Sequence, residues 1–155
     1  MYNRVIFVCD DNTSLSPVAL ALFNAEECDM EIDAISRGLV VLFPEPVNPK
    51  AEDLLARHKL RMPVEVTTQF SSAEVTPATL VLTMDKRQKR RIATDFYINE
   101  NVFTLAEFAD ANEDILDPYG RNMEFYETSY RQISEYIHVI AYKLMHDKTI
   151  NESWG

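Results

Sequence analysis

The chain has 155 residues, 46% of them hydrophobic, which suits one domain with a real core and argues against disorder. Lys plus Arg number 15 against 25 Asp plus Glu, and the resulting charge of −10 argues against nucleic acid or an anionic membrane as main partner. Two cysteines, Cys9 and Cys28, build no disulfide framework; no apolar run nears the roughly 20 residues of a membrane span, and Val5–Cys9 is too short for a signal peptide, so a single cytoplasmic domain over residues 1–155 is expected.

Val5–Cys9 is a continuous β-branched and apolar run, the pattern of a strand buried on both faces of a parallel sheet. Asp10–Ser16 is a polar loop. Ser16-Pro17 reads as an N-cap followed by proline at the first helical position, opening an apolar helix that ends near Glu27. Met30–Ser36 alternates as a second strand. Gly38 and Pro44-Glu45-Pro46 mark a loop, and Pro49 sits early in a helix reaching His58. Val64–Phe70 and Ala73–Val75 carry no decisive period. Thr79–Thr83 is a third buried strand, and Asp85 caps a helix with a basic face, Lys86, Arg87, Lys89, Arg90 and Arg91, which is either a solvated face or a docking patch. Asn101–Thr104 is a short fourth strand, Leu105–Phe108 a helical turn and Ile115–Gly120 a loop. The last helix runs from Met123 to Met145 with an apolar stripe of Tyr126, Tyr130, Ile133, Ile137, Ile140, Ala141 and Leu144.

Strands alternating with helices predict a doubly wound α/β domain, a four-stranded parallel sheet with helices on both faces. Ligands bind such sheets beyond the carboxyl ends of the strands, where the Asp10–Ser16 loop lies. The helix that follows presents free backbone N–H groups, a ready anion site.

The segment Cys9-Asp10-Asp11-Asn12-Thr13-Ser14-Leu15-Ser16-Pro17 after its apolar strand resembles the phosphate-binding loop of low-molecular-weight protein tyrosine phosphatases, whose pattern is C-x-G-N-x-C-R-S-P. Arg37-Gly38-Leu39 through Phe43-Pro44-Glu45-Pro46-Val47 resembles that family's S-A-G-L…F-P-G-E-P-A stretch. Leu82-Thr83-Met84, Val102–Phe108 and Asp117-Pro118-Tyr119-Gly120 match its later blocks in order and spacing. The resemblance covers roughly residues 4–146 and is greatest to the bacterial branch, including the branch that acts on phosphoarginine. It implies a flavodoxin-like strand order 2-1-3-4, with Cys9 at the nucleophile position and Asp117 at the general-acid position. Asn12 and Ser16 match the family's loop, Asp10, Thr13 and Ser14 complete the candidate ligand-binding loop, and Phe43 and Tyr119 fall where the family has cleft walls.

Three positions depart from the pattern, one of them Ser14 in place of the family's second loop cysteine. Leu15 stands where the family has the arginine that clamps the equatorial oxygens, and Asp11 where a glycine lets the backbone approach the dianion. Clamps of this kind are worth about 10³ or more in phosphoryl transfer. Carboxylates at Asp10, Asp11 and Asp117 oppose both anion binding and thiolate formation. The expectation is therefore a pseudophosphatase, a binding or regulatory module with a protein partner: a dephosphorylated protein, a sibling phosphatase or a kinase. Its acidic rim suits a neutral or cationic ligand better than phosphate. The alternative is a weakly active tyrosine or arginine phosphatase using Cys9 and Asp117.

An apolar strand followed by Asp10-x-Asn12-Thr13 also resembles the D-x-D-x-T opening of haloacid dehalogenases, which would make Asp10, Asp11 and Asp117 ligands of a hard cation. The rest of the chain matches the tyrosine phosphatase blocks instead, and no metal or cofactor is expected.

Overall fold

A computed structural model of the chain describes residues 2–26 and 31–154, with side chains through residue 146. The elements run β1 (Arg4–Cys9), α1 (Leu15–Ala25), β2 (Asp33–Gly38), α2 (Pro49–Arg57), a 3₁₀ turn (Ser72–Glu74), β3 (Thr79–Thr83), α3 (Lys86–Phe96), β4 (Val102–Thr104), α4 (Leu105–Phe108) and α5 (Met123–Trp154). The four strands form one parallel sheet in the order β2-β1-β3-β4. Strand β1 is flanked on both sides: Ile6 is in register with Ile35 of β2 and with Val81 of β3.

Its unbroken apolar run follows from that position. Side chains alternate across a strand. Val5 and Phe7 enter the core formed with α1, α2 and α5, whereas Ile6 and Val8 enter the opposite layer with Val81, Val102 and Ile92 of α3. Both faces of the central strand are therefore dry, and helices cover the sheet on both sides. The switch point between β1 and β3 opens at the carboxyl edge, where this class of sheet binds ligands.

Helix α1 begins at Leu15 with Ser14 at the N-cap, so the expected cap at Ser16 is corrected. The Ser16 hydroxyl is occupied elsewhere, by Cys9 and Asn12. Pro17 is then the third helical residue, where the backbone N–H has no intrahelical acceptor and its loss is harmless. Asp85 caps α3 as expected, in a reciprocal box with Gln88. The basic face of α3 is largely neutralised within the fold: Arg87 pairs with Asp10, Lys89 with Glu107 and Arg91 with Asp95. Helix α5 continues past the expected end at Met145 to Trp154. In the stretch without a decisive period, Val66 bridges Pro46 and Gln69 bridges Gly38. The expected helix end near Glu27, the strand start at Met30 and Cys28 itself lie outside the described residues. Among the described residues no helix is long and apolar enough to cross a membrane.

Gly38 ends β2 against the loop that follows β1. A Cβ there would lie 2.7 Å from the carbonyl carbon of Asp11 and 2.8 Å from the backbone nitrogen of Asn12. Those atoms belong to a constrained loop, so neither yields cheaply. Gly38→Ala is expected to destabilise the fold by about 1–3 kcal/mol, the usual range for overpacking. Urea unfolding followed by far-UV circular dichroism checks this; an unchanged midpoint would show that the loop gives way freely.

Candidate functional site

The loop after β1 is held by a buried polar network. Asn12 is fully buried and takes a left-handed backbone conformation, φ 64°, which asparagine tolerates better than most residues. Its amide nitrogen donates to the Ser16 hydroxyl at 2.9 Å and to the Ser36 hydroxyl at 3.0 Å. Its carbonyl oxygen accepts the Thr68 backbone N–H at 2.9 Å. One side chain thus ties the loop to the first turn of α1, to β2 and to the segment that follows α2. Backbone bonds extend the tie: Leu39 N–H donates to Cys9, Val40 N–H to Asp10 and Asn48 N–H to Thr13. Tyr126 of α5 lies beneath, its hydroxyl accepting from the Asn48 amide and bonded to Ser14.

The Cys9 thiol sits at the carboxyl end of β1, buried, 3.0 Å from the Ser16 hydroxyl. Burial pushes its pKa up, because a thiolate there would lose its hydration; the nearby Asp11 charge pushes the same way. The Ser16 hydroxyl and the backbone N–H groups of Ser16 and Asn12 oppose the shift without reversing it. Charge repulsion is the expected reason for a raised thiol, but desolvation is the larger one.

The cleft above the thiol has a volume of about 230 Å³. Cys9, Asp10, Asp11, Thr13, Ser14 and Leu15 supply one side, Met84, Asp85 and Gln88 a second, and Ile115, Asp117, Pro118 and Tyr119 the third. The third side is anchored: Ile115 N–H donates to Met84, Leu116 N–H to Gln132 of α5, and the Ser129 hydroxyl to Leu116. Asp117 therefore faces the same cleft as Cys9, and its carboxylate accepts the Tyr119 backbone N–H at 3.0 Å.

The sequence-predicted residues fall into three groups. Eight of them line the cleft: Cys9, Asp10, Asp11, Thr13, Ser14, Leu15, Asp117 and Tyr119. Asn12 and Ser16 are buried behind it as supports. Phe43 stands outside the lining and is exposed, on the segment joined to the loop by the Val40–Asp10 backbone bond.

Leu15 is buried in the main core cluster, so an apolar side chain closes the floor where an anion clamp would project. Asp11 accepts both the Thr13 backbone N–H at 3.0 Å and the Thr13 hydroxyl at 2.7 Å. The Thr13 backbone N–H in this loop is thereby engaged by a carboxylate of the chain itself. Asp10 receives one Arg87 nitrogen on both its oxygens, at 2.8 and 2.7 Å, and this contact holds the guanidinium pKa above its ordinary value. Arg87 is 77 residues from Asp10 in sequence, so no local pattern announces the pair. Met84, Asp85, Gln88, Ile115 and Pro118 also line the cleft, beyond the residues expected from sequence, and no local pattern marks them as site residues. Among the described residues no three His, Cys, Asp or Glu side chains are grouped closely enough to hold a metal ion.

Comparison with known proteins agrees with this geometry. The sequence profile of the family described as "Low molecular weight phosphotyrosine protein phosphatase" matches residues 4–152. Among curated relatives, the low molecular weight protein-tyrosine-phosphatase PtpB of Staphylococcus aureus is 32% identical over 130 residues, covering 84% of this chain and 91% of its own length. The PtpB of Staphylococcus haemolyticus is 30% identical over the same extent. Among solved structures, a YwlE mutant from Bacillus subtilis superposes with a TM-score of 0.84 at 30% identity, covering 91% of this chain and 97% of that one. The YwlE arginine phosphatase from Geobacillus stearothermophilus gives a TM-score of 0.86 at 26% identity, covering 94% and 95%.

Two outcomes follow from the loop geometry. Asn12→Ala takes a donor from the buried Ser16 and Ser36 hydroxyls and an acceptor from the Thr68 N–H, and places alanine at positive φ; a loss of about 2–4 kcal/mol is expected in urea unfolding. A loss below about 1 kcal/mol would mean that water replaces the amide. Alkylation of Cys9 by iodoacetamide, followed in a Cys28→Ser background, should run slower at neutral pH than for a free thiol. Its rate should rise only above the ordinary thiol range. A midpoint near pH 6 would contradict the dominance of burial.

Proposed function

This chain belongs to the low molecular weight phosphotyrosine protein phosphatase family, and we propose that it is a pseudophosphatase: a member that keeps the cleft and serves as a binding or regulatory module. The observation that carries the reading is Leu15 buried in the floor of the cleft, in the place where the family pattern has arginine. Phosphoryl transfer through this fold depends on positioning and charge stabilisation, so an apolar group there removes the principal means of catalysis. Asp11 reinforces the effect by taking the Thr13 N–H. The thiol is buried and held towards its protonated form, which makes it a poor nucleophile at neutral pH. Arg87, the guanidinium bound at the rim, is engaged by Asp10.

A second reading is favoured by one specific contact. Ser16 still approaches the Cys9 sulfur at 3.0 Å, the kind of hydrogen bond that steadies a thiolate or departing thiol. With Asp117 in the same cleft, this supports slow Cys9-dependent hydrolysis of a phosphorylated tyrosine or arginine side chain.

The deciding measurement is turnover of para-nitrophenyl phosphate together with vanadate binding, for the chain and for Cys9→Ser. Neither Cys9-dependent turnover nor vanadate binding is expected. Turnover that vanishes in Cys9→Ser overturns the module reading and establishes the second. The double change Leu15→Arg with Asp11→Gly should introduce Cys9-dependent turnover, with a gain of about 10³-fold or more over the original chain.

A further inference from the structure

The mouth of the cleft combines two features that one ligand chemistry satisfies. The floor is apolar, with Leu15, Met84 and Ile115, whereas the rim carries four carboxylates: Asp10, Asp11, Asp85 and Asp117. Arg87 is within ion-pair distance of Asp10 and Asp85. Among the described residues Asp11 and Asp117 have no partner at ion-pair distance, their carboxylates accepting backbone N–H groups and the Thr13 hydroxyl, although Asp117 also acts electrostatically on Arg87. The rim therefore has a surplus of negative charge, on a chain whose net charge is already −10.

The molecule also exposes large apolar side chains, one on a wall of the cleft and two on a segment joined to the loop. Tyr119 is 76% exposed at one wall, and Leu42 and Phe43 are 82% and 78% exposed on the segment bonded to the loop through Val40 and Asp10. Isolated exposed apolar residues are ordinary, but aromatic and aliphatic groups beside a concave site are what docking surfaces display. Pro44 follows Phe43 directly and Pro46 comes two residues later, restricting the backbone that presents it and reducing what ordering it on binding would cost.

We propose that the cleft and its apolar border form a docking surface for a protein segment that carries an apolar side chain between basic residues, with no phosphate. The inference rests on the module reading above and names its partner's chemistry. The apolar side chain enters the floor over Leu15 and Met84. The flanking Lys or Arg side chains meet Asp11 and Asp117, and their aliphatic stems lie along Leu42, Phe43 and Tyr119. A phosphate would meet the same carboxylates repulsively, so the charge pattern excludes the ligand that the fold family takes.

The test uses four capped peptides and the full chain, with binding read by isothermal titration at low salt. They are Lys-Lys-Leu-Lys-Lys, the same peptide with serine for leucine, the same with phosphotyrosine for leucine, and Glu-Glu-Leu-Glu-Glu. The first should bind about tenfold or more tighter than each of the others and lose most of its affinity when salt is raised about tenfold. Asp117→Lys should weaken it about tenfold, and Leu42→Ser with Phe43→Ser, both at exposed positions, should weaken it severalfold without altering the circular dichroism spectrum. Equal binding of all four peptides, or binding unmoved by both variants, overturns this inference alone. Preference for the phosphotyrosine peptide together with Cys9-dependent hydrolysis of its phosphate overturns the module reading beneath it.

Discussion

The side chain of Asn12 holds the site together from inside. It is buried without charge, sits in a left-handed backbone conformation, and bonds to the first turn of α1, to β2 and to Thr68. Two of its partners, the Ser16 and Ser36 hydroxyls, are buried, and its bond from the Thr68 N–H is partly so. Removing the amide would strand groups at a cost of about 1–3 kcal/mol each, more than any exposed ion pair at the rim contributes. The path of the loop, the position of Ser16 against the thiol and the line taken by residues 39–48 all depend on it. Gly38 serves the same end by omission, since only a residue without a Cβ lets β2 pass so close to the backbone of Asp11 and Asn12.

That scaffold is separable from the chemistry performed over it. Asn12, Ser16, Ser36 and Gly38 face inward and fix the shape; Asp11, Leu15 and Asp117 line the cleft. Leu15 adds apolar burial to the core beneath the cleft. A leucine fully withdrawn from water contributes roughly 1.5–3 kcal/mol, and no arginine at that position would match it. The thiol follows the same logic: its environment suits a small buried apolar group better than an anion, and desolvation outweighs the hydrogen bonds that would favour the thiolate.

Much of this architecture was legible in the residue order, and the exceptions have physical causes. The buried strand at Val5–Cys9 and the one at Thr79–Thr83 show themselves because central parallel strands are apolar on both faces. Asp85 announces its helix because its cap is a local interaction, satisfied within four residues. The start of α1 misled for the converse reason: Ser16-Pro17 has the local form of a cap, but the serine hydroxyl is claimed by Cys9 and Asn12, a demand set by tertiary structure. The family pattern places Cys9 and Asp117 at one cleft, which spacing alone does not. The Asp10–Arg87 contact was beyond reach, since it joins the loop after β1 to α3 and depends on the order of strands between them.

The rim shows how the meaning of a charge changes with its partners. Counted from the sequence, Asp10 and Asp11 are two equal carboxylates opposing an anion. In the fold they differ. Asp10 is engaged by Arg87, so its charge is largely offset where it stands, and the pair is exposed enough to contribute under about 1 kcal/mol to stability. Asp11 is turned back onto Thr13 and keeps its charge while occupying a backbone donor. The second arrangement is the more consequential for an incoming anion, because it adds repulsion and withdraws an N–H in one step. A positive group meets the opposite situation: Asp11 is held in a fixed orientation by two hydrogen bonds, and Asp117 is fixed by its bond to the Tyr119 N–H. Carboxylates already oriented in this way lose little freedom on pairing, which is the condition under which a rim charge selects among partners.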